Sequence, residues 1–552
     1  MSPTASADPA APAATIADPS AADVLGSSPP PAAGAASPWA ILAVLCVGLF
    51  MILLDGTIVN IAIPNIMREL DTGLSGVEWV MNAYVLAFAV TLVTLGRFGD
   101  LYGRRRLFVS GMVLFTAASL ACGLAPGIGW LIAFRVAQGL GGAAMMPATL
   151  SIVAAVFPAE RRGAAMGVWG GVSGLATAIG PSLGGLIVDS ASWRWIFLIN
   201  IPIGFIGVAL ALRIVPESRD EAAVETLDLP GVALVSAGLF CLTFALVEGQ
   251  RLGWTSAAIV GLFVAAAGGL VLFYLRETRV RQPLIDFALF RHVNFLAGNL
   301  TGLLLSAGMM GVFFTVPIFL QTALDYSALR AGLVMSPMSI VIIFAAPLAG
   351  RLSDRVGSRW IVAGGLFLLA FGIAWMAGLL PWTEALAPDT TAAALMAPFV
   401  LSGIGIGLSI APVTSAVMAT APPERVGNAS GVLSTTRQVG SLMGIAILGA
   451  VLQNRIAANV RTGLETVAGI PDEVRRSIVD GLAEGGMQMG APAGAPGMPA
   501  EGAAMFETLF KGWLTDAINT TFVVGVAICV AGGLCALALR SHVERGPADG
   551  GA

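Results

Sequence analysis

Two ionisable side chains stand where such groups are expensive. Asp55 lies in LLDGTIVNIAIPNI, residues 53–66, and Arg135 opens RVAQGLGG, residues 135–142; both stretches belong to long apolar runs. A carboxylate in hydrocarbon is kept for a reason, either a proton or cation to bind or a hydrogen bond to a neighbouring helix. Arg135 stands about five residues into its run, or ~8 Å at ~1.5 Å per residue. If the two runs cross a membrane in opposite directions, Asp55 and Arg135 reach similar depth. A buried guanidinium needs an anion, and Asp55 is the nearest candidate in this part of the chain. A carboxylate that is tied to an arginine in one state and released to take a proton in another is a workable proton switch. Arg135, Gln138, Gly139 and Gly142 fall on one helical face, turned either to a cavity or to the run that holds Asp55.

Other polar positions inside apolar runs are fewer and less specific. Asn60, Gln138 and Arg437 are candidates for a cavity wall. Arg437 sits in the middle of its run and requires an acidic or carbonyl partner; no intramembrane acid in that half of the chain supplies one. Glu248 closes an apolar run and reads as interfacial. The cysteines Cys46, Cys122, Cys241, Cys529 and Cys535 all lie in apolar runs and read as small core residues, without the spacing of a metal site.

A charged pattern occurs twice. GRFGDLYGRRR begins at Gly96 and GRLSDRVGSR at Gly350, so that Gly96, Arg97, Asp100, Gly103 and Arg105 recur 254 residues later as Gly350, Arg351, Asp354, Gly357 and Arg359. Glycines at these positions permit a tight turn. An aspartate beside it can meet a helix N-terminus or an arginine of a facing element and hold a gate shut. The copy at 96–106 adds Arg104 to the cluster. A repeat at half-chain distance, each copy between two apolar runs, points to two homologous membrane bundles.

The elements that position these residues follow from composition. The chain has 552 residues, 57% hydrophobic and 11% charged, with mean hydropathy +0.86. Several runs reach the ~20 residues that cross a bilayer, and continuous apolar runs exclude the alternation of a barrel. Fourteen spans are expected, starting near Trp39, Val77, Leu107, Trp130, Gly163, Trp195, Pro230, Ser256, Phe295, Leu329, Trp360, Ala393, Gly427 and Ile518. The resulting division is a disordered tail at 1–38, a six-helix bundle at 39–215, two inserted helices with linkers at 216–294, a second six-helix bundle at 295–540 and a short tail at 541–552. The tail at 1–38 has no Lys or Arg and lacks the pattern of a secretory signal. Within the second bundle, 453–515 reads as a long outer loop whose Met487, Met489, Met498 and Met505 fit a flexible linker better than a soft-metal site. With both termini inside, inner loops and tails hold eighteen arginines and the short outer loops four, which orients the chain by the positive-inside rule. A net charge of −4 and the absence of a basic patch argue against nucleic acid.

On these motifs the chain resembles the major facilitator superfamily, specifically its fourteen-span drug:proton antiporters. Span five, GVSGLATAIGPSLGG at 171–185, carries Gly174, Gly180, Pro181, Gly184 and Gly185 in a pattern similar to the antiporter signature of exporters. Small residues there allow helices to touch, and the proline can kink the span. WRWIFLINIPIG at 193–204 and GNASGVLSTTRQVGSLMGIAILGAV at 427–451 also fit that branch. Gly99 and Leu101 depart from the family's more usual Ala and Arg. The resemblance implies an all-α fold of two six-helix bundles with two inserted helices, and proton-coupled export of amphipathic drugs, dyes or antibiotics across the cytoplasmic membrane. It also implies a role for Arg135 in proton coupling and for the 96–106 loop in conformational switching. The expected partners are small amphipathic substrates, protons and lipid, with the proton gradient as the energy source and no cofactor. No Walker pattern surrounds the single lysine, Lys511, so ATP and nucleic acid are not expected partners, and no catalytic constellation marks an enzyme. Two alternatives stay open: a dedicated exporter of an endogenous metabolite or lipid on the same fold, and a non-transporting membrane sensor or scaffold.

Overall fold

A computed structural model of the chain describes residues 36–72, 74–219, 228–280, 283–422, 426–466 and 500–540. Backbone in hydrocarbon must satisfy its own hydrogen bonds, and the apolar runs do so as helices. In the first half these are α1 (Pro38–Glu69), α2 (Leu74–Tyr102), α3 (Arg104–Gly123), α4 (Ile128–Val156), α5 (Ala159–Ser190) and α6 (Trp195–Ile214, broken at Ile199). An inserted pair follows, α7 (Leu229–Leu252) and α8 (Ala257–Glu277). The second half comprises α9 (Val293–Ile318), α10 (Ala328–Val356), α11 (Ser358–Met376), α12 (Ala392–Met418), α13 (Val426–Thr466) and α14 (Ala500–Ala536). Among the described residues no strand forms beyond one isolated bridge between Ala377 and Ala385. Thirteen of these helices are long and apolar enough to cross a bilayer. The fourteenth, α5, has 32 residues and carries eight glycines, and it packs between the two halves.

The halves repeat each other in packing as well as in sequence. Within the first, α2 and α3 pack on α4, α1 on α5, and α3 and α1 on α6. Adding eight to each label gives the corresponding pairs of the second half, all of which are in contact. The repeat reaches individual glycines. Gly141 of α4 lies against the Phe115 amide and the Gly111 carbonyl of α3, and Gly405 of α12 lies against the Leu369 amide and the Gly365 carbonyl of α11. Gly111 and Phe115 stand 254 residues before Gly365 and Leu369, the offset of the charged loops. Contacts between halves obey the same two-fold logic: α5 meets α10 and α12, while α13 meets α2 and α4.

The inserted pair breaks this symmetry. α7 packs on both α2 and α13 and so covers one seam between the halves; α8 packs on α7. Arg276 near the end of α8 donates to both oxygens of Asp228 just before α7, at 2.7–3.1 Å, closing the hairpin. These hydrogen bonds hold the Asp228 carboxyl below the usual carboxylate range.

One expectation is corrected. The stretch 453–515 is not a loop throughout. α13 continues as helix to Thr466 and α14 already begins at Ala500; Met487, Met489 and Met498 lie outside the described residues. Leu452, Ile456, Val460 and Leu464 recur every fourth residue on the extension of α13 and are buried with Phe506, Phe510 and Leu514 of α14. Two amphipathic extensions therefore zip together, and Lys511 ties them to Asp325 before α10 at 2.5 Å.

Candidate functional site

Arg135 and Gln138 stand three residues apart on α4, and their side chains converge on Asp55 of α1. Arg135 Nη1 donates to Asp55 Oδ2 and to Gln138 Oε1 at 2.8 Å. Gln138 Nε2 donates to Asp55 Oδ1 at 2.7 Å and to Ser119 Oγ at 2.7 Å. Arg135 Nε donates to the Val80 carbonyl of α2 at 3.0 Å. Gly139 makes this last bond possible: a Cβ there would meet the Tyr84 carbonyl at 2.5 Å, so only glycine lets the α2 backbone come this near. The Tyr84 ring lies 4.2 Å below the guanidinium carbon and the Phe197 ring 5.7 Å from it, both within cation–π range. Asp55 and Gln138 are completely buried and Arg135 is 1% exposed. The α4 face thus divides. Arg135 and Gln138 look onto α1 and α3, while Gly139 and Gly142 rest on Tyr84 and Phe88 of α2. Gln138, expected at a cavity wall, is instead closed inside the ion-pair cluster. A charge pair this deep owes its place to complete hydrogen bonding, since breaking one partner from a buried pair costs about 3–5 kcal/mol.

The charged loops cap the opposite end of α2 and α10. Gly103 has φ +111° and Gly357 has φ +89°, so both copies use glycine where an L side chain would be strained. In the first copy Asp100 is fully buried and accepts from Arg104 Nε at 3.1 Å and Nη2 at 2.9 Å. Arg97 is buried as well. The backbone amide of Asn428, in the first turn of α13, faces the Asp100 carboxylate, which places an anion at a helix N-terminus of the other half. Glu217, beyond α6, accepts from the Arg105 amide at 3.0 Å, and the Ser218 carbonyl accepts from the Arg104 amide at 2.9 Å. In the second copy the Asp354 side chain lies outside the described set, Arg351 is exposed, and Arg359 stacks 4.9 Å over the Trp360 ring.

Around these loops the halves are shut. Gly350 of α10 abuts the Gly163 carbonyl of α5. Further along the same pair, a Cβ on Gly171 would lie 3.2 Å from the Ile343 carbonyl, and one on Gly174 would lie 2.7 Å from Ile342. Ser151 of α4 and Ser430 of α13 share a hydrogen bond of 2.9 Å, and Ser430 also donates to the Pro147 carbonyl at 3.1 Å. Gly431 of α13 lies 3.6 Å from Gly96 by the same measure. At its other end α5 returns to the first half. Gly180 presses on Thr57, two residues from Asp55, whereas Gly185 faces no atom within 4 Å. Gly184 is buried, and the Pro181 side chain lies outside the described set.

Residues 45–445 match the Major Facilitator Superfamily model. The chain belongs to the major facilitator superfamily. It is 37% identical over 433 residues to Multidrug resistance protein Stp of Mycobacterium tuberculosis, covering 78% of this chain and 79% of that protein. It is 32% identical over 503 residues to the tetracenomycin C resistance and export protein of Streptomyces glaucescens, covering 91% and 90%. Among solved structures, the human organic anion transporter MFSD10 shares the fold with TM-score 0.55 at 14% identity, over 91% of this chain and 100% of that one. The protein is a multi-pass membrane transporter, not an enzyme.

Within this facilitator fold two further polar positions find their partners, Arg437 on a carbonyl as the sequence expectation required. Glu248, read as interfacial, is buried and bonded to Arg251 at 2.5 Å. Arg437 finds its partners on α12: Nη2 donates to the Ile410 carbonyl at 3.0 Å and to Thr414 Oγ1 at 2.8 Å. The Asn60 side chain lies outside the described set. Tyr84, Ser119, Glu217, Asn428 and the Ser151–Ser430 pair escaped sequence reasoning. Only Glu217 had a local signal, an acid at a helix-to-helix corner opposite three arginines.

Proposed function

We propose that this transporter exports amphipathic small molecules in exchange for protons, from a cytoplasmic membrane in which the Arg-rich loops and both termini face the cytoplasm. The observation that carries the reading is the sealed Asp55–Arg135–Gln138 cluster. Among the described buried acids of the first six helices, Asp55 lies farthest from the charged loops, and both its oxygens are occupied. A proton arriving there replaces the Arg135 contact, and α1 is then free to shift against α5 through the Thr57–Gly180 contact. α5 meets α10 at Gly174, so movement near Asp55 is relayed to the interface between the halves. Return of the arginine expels the proton once the site has turned toward the cytoplasm. The names of the relatives, which include drug-resistance and antibiotic-export proteins, support small amphipathic molecules as cargo.

The test is dye efflux in everted membrane vesicles energised by a pH gradient. Asp55→Asn keeps an oxygen for Arg135 but cannot cycle a proton. We expect normal membrane levels and loss of gradient-driven transport; efflux equal to wild type would remove the coupling role. A second reading, a dedicated exporter of one endogenous product, is favoured by the tetracenomycin relative, whose match extends over nine-tenths of both chains. Transport of a single compound from a broad panel would decide for it.

A further inference from the structure

Every basic residue of the chain except two falls in a loop, a tail, a helix end or the 453–515 stretch. The two are Arg135 and Arg437. Arg135 has Asp55. Arg437 has no acid: among the described residues its only partners are a backbone carbonyl and a hydroxyl, both taken by Nη2. Nε and Nη1 donate to none of the described residues. The side chain is partly exposed, as are Thr436, Gln438 and Val439 beside it, while residues 431–435 and 440 of the same helix are buried.

Its direction is set by helix geometry. Ser430, Ser434, Arg437 and Ser441 lie within a narrow sector of α13 at ~100° per residue. Ser430 at the start of that sector touches α4 of the first half. Arg437 is seven residues farther on, ~10 Å along the axis at ~1.5 Å per residue. It therefore lies on the side turned to the first half, two turns beyond the closed end. The carbonyl it grips belongs to Ile410, whose side chain is 3.3 Å from a Cβ built on Gly170 of α5, so the guanidinium sits beside the inter-half contact. Between gate and arginine, Ser434 is 5% exposed and its Oγ has no hydrogen-bond partner among the described residues, nor has Thr435 Oγ1. A guanidinium fixed by one nitrogen, with further donors free and unpaired hydroxyls one turn away, matches a planar anion in geometry and charge.

We infer that Arg437 is the anion-recognition point of the substrate site, and that it takes amphipathic molecules bearing one carboxylate or acidic phenol. This rests on the exporter reading for the cargo to be moved, but the binding step stands apart from proton coupling. In the bound state the ligand's oxygens supply the counter-charge that Arg437 lacks among the described residues.

The experiment uses purified full-length protein in detergent and three probes on one ring system: anthracene-9-carboxylate, anthracene-9-carboxamide and 9-aminomethylanthracene. Affinities are read from quenching of tryptophan fluorescence. Wild type is expected to bind the carboxylate at least ten-fold more tightly than the amide and to bind the amine most weakly. Arg437→Gln should abolish the preference while leaving amide affinity unchanged, and Arg437→Lys should retain part of it. Thr414→Val, which removes one of the two Nη2 acceptors without touching the charge, should keep the preference, and Arg437→Lys, with its reduced preference, serves if Arg437→Gln does not fold. Asp55→Asn should keep the preference while losing driven transport, so failure of coupling and failure of this site give different results. Equal affinity for carboxylate and amide in wild type, including no measurable binding of either, would overturn the inference, as would an undiminished preference in Arg437→Gln.

Discussion

At the scale of single residues, the sequence exposed charge and concealed context. Asp55 and Arg135 were legible because an acid and a base in apolar runs demand an explanation, and their matching depths suggested the pair. Tyr84, Ser119 and the Val80 carbonyl were not legible, because an aromatic, a hydroxyl and a backbone oxygen acquire meaning only when another helix delivers the arginine to them. That surrounding set makes a specific expectation for Arg135. Lysine keeps the charge but cannot reach Asp55, Gln138 and Val80 together, so Arg135→Lys should retain partial transport. Arg135→Ala strands a buried carboxylate and should reduce both transport and membrane level, at about 3–5 kcal/mol for an unpaired buried charge. The double change Asp55→Asn with Arg135→Gln removes both charges and should restore the level without restoring transport. Expression measured beside vesicle efflux separates the two effects, and transport by the double variant would end the coupling role of the pair.

Helices were read well from apolar length and poorly from amphipathic length. The span starts at Trp39, Trp195, Pro230 and Ser256 fall within two residues of the observed helices, since hydropathy changes sharply there. The start of α14 was missed by eighteen residues, Ile518 against Ala500. The signal was present in the fourfold spacing of Phe506, Phe510 and Leu514, but such spacing marks a helix only when a partner such as Leu452–Leu464 covers it. α5 illustrates what a glycine-rich element does once its contacts are known. Gly180 meets Thr57 in one half and Gly174 meets Ile342 in the other, so the helix is held at both points by surfaces that admit no Cβ. Gly180→Leu must push α1 away near Asp55. Because the helix keeps its own hydrogen bonds in lipid, insertion should be normal. We expect efflux to be lost and the vesicle pH gradient to decay faster. Wild-type efflux with an intact gradient would show that this contact transmits nothing.

For the whole molecule, one repeated loop was enough to imply two bundles, because a homologous repeat carries its packing with it; the Gly111–Gly141 contact recurs as Gly365–Gly405, with Gly111 and Gly365 at the offset of the charged loops. What the repeat could not reveal was how the halves meet. Which end is shut depends on contacts between residues hundreds of positions apart, and Ser151 and Ser430 carry no mark in sequence. Their hydrogen bond of 2.9 Å spans the two halves at the end bearing the charged loops, and alternating access requires that it break in every cycle. Two serines in direct contact are close enough for a disulfide once both are cysteine, since bridged Cβ atoms lie ~3.5–4.5 Å apart. In a background without the five native cysteines, Ser151→Cys with Ser430→Cys should cross-link under mild oxidation. Transport should stop on oxidation and return on reduction, while each single variant transports in both conditions. A cross-linked protein that still moves dye at the reduced rate would mean that the halves do not separate at this end during transport.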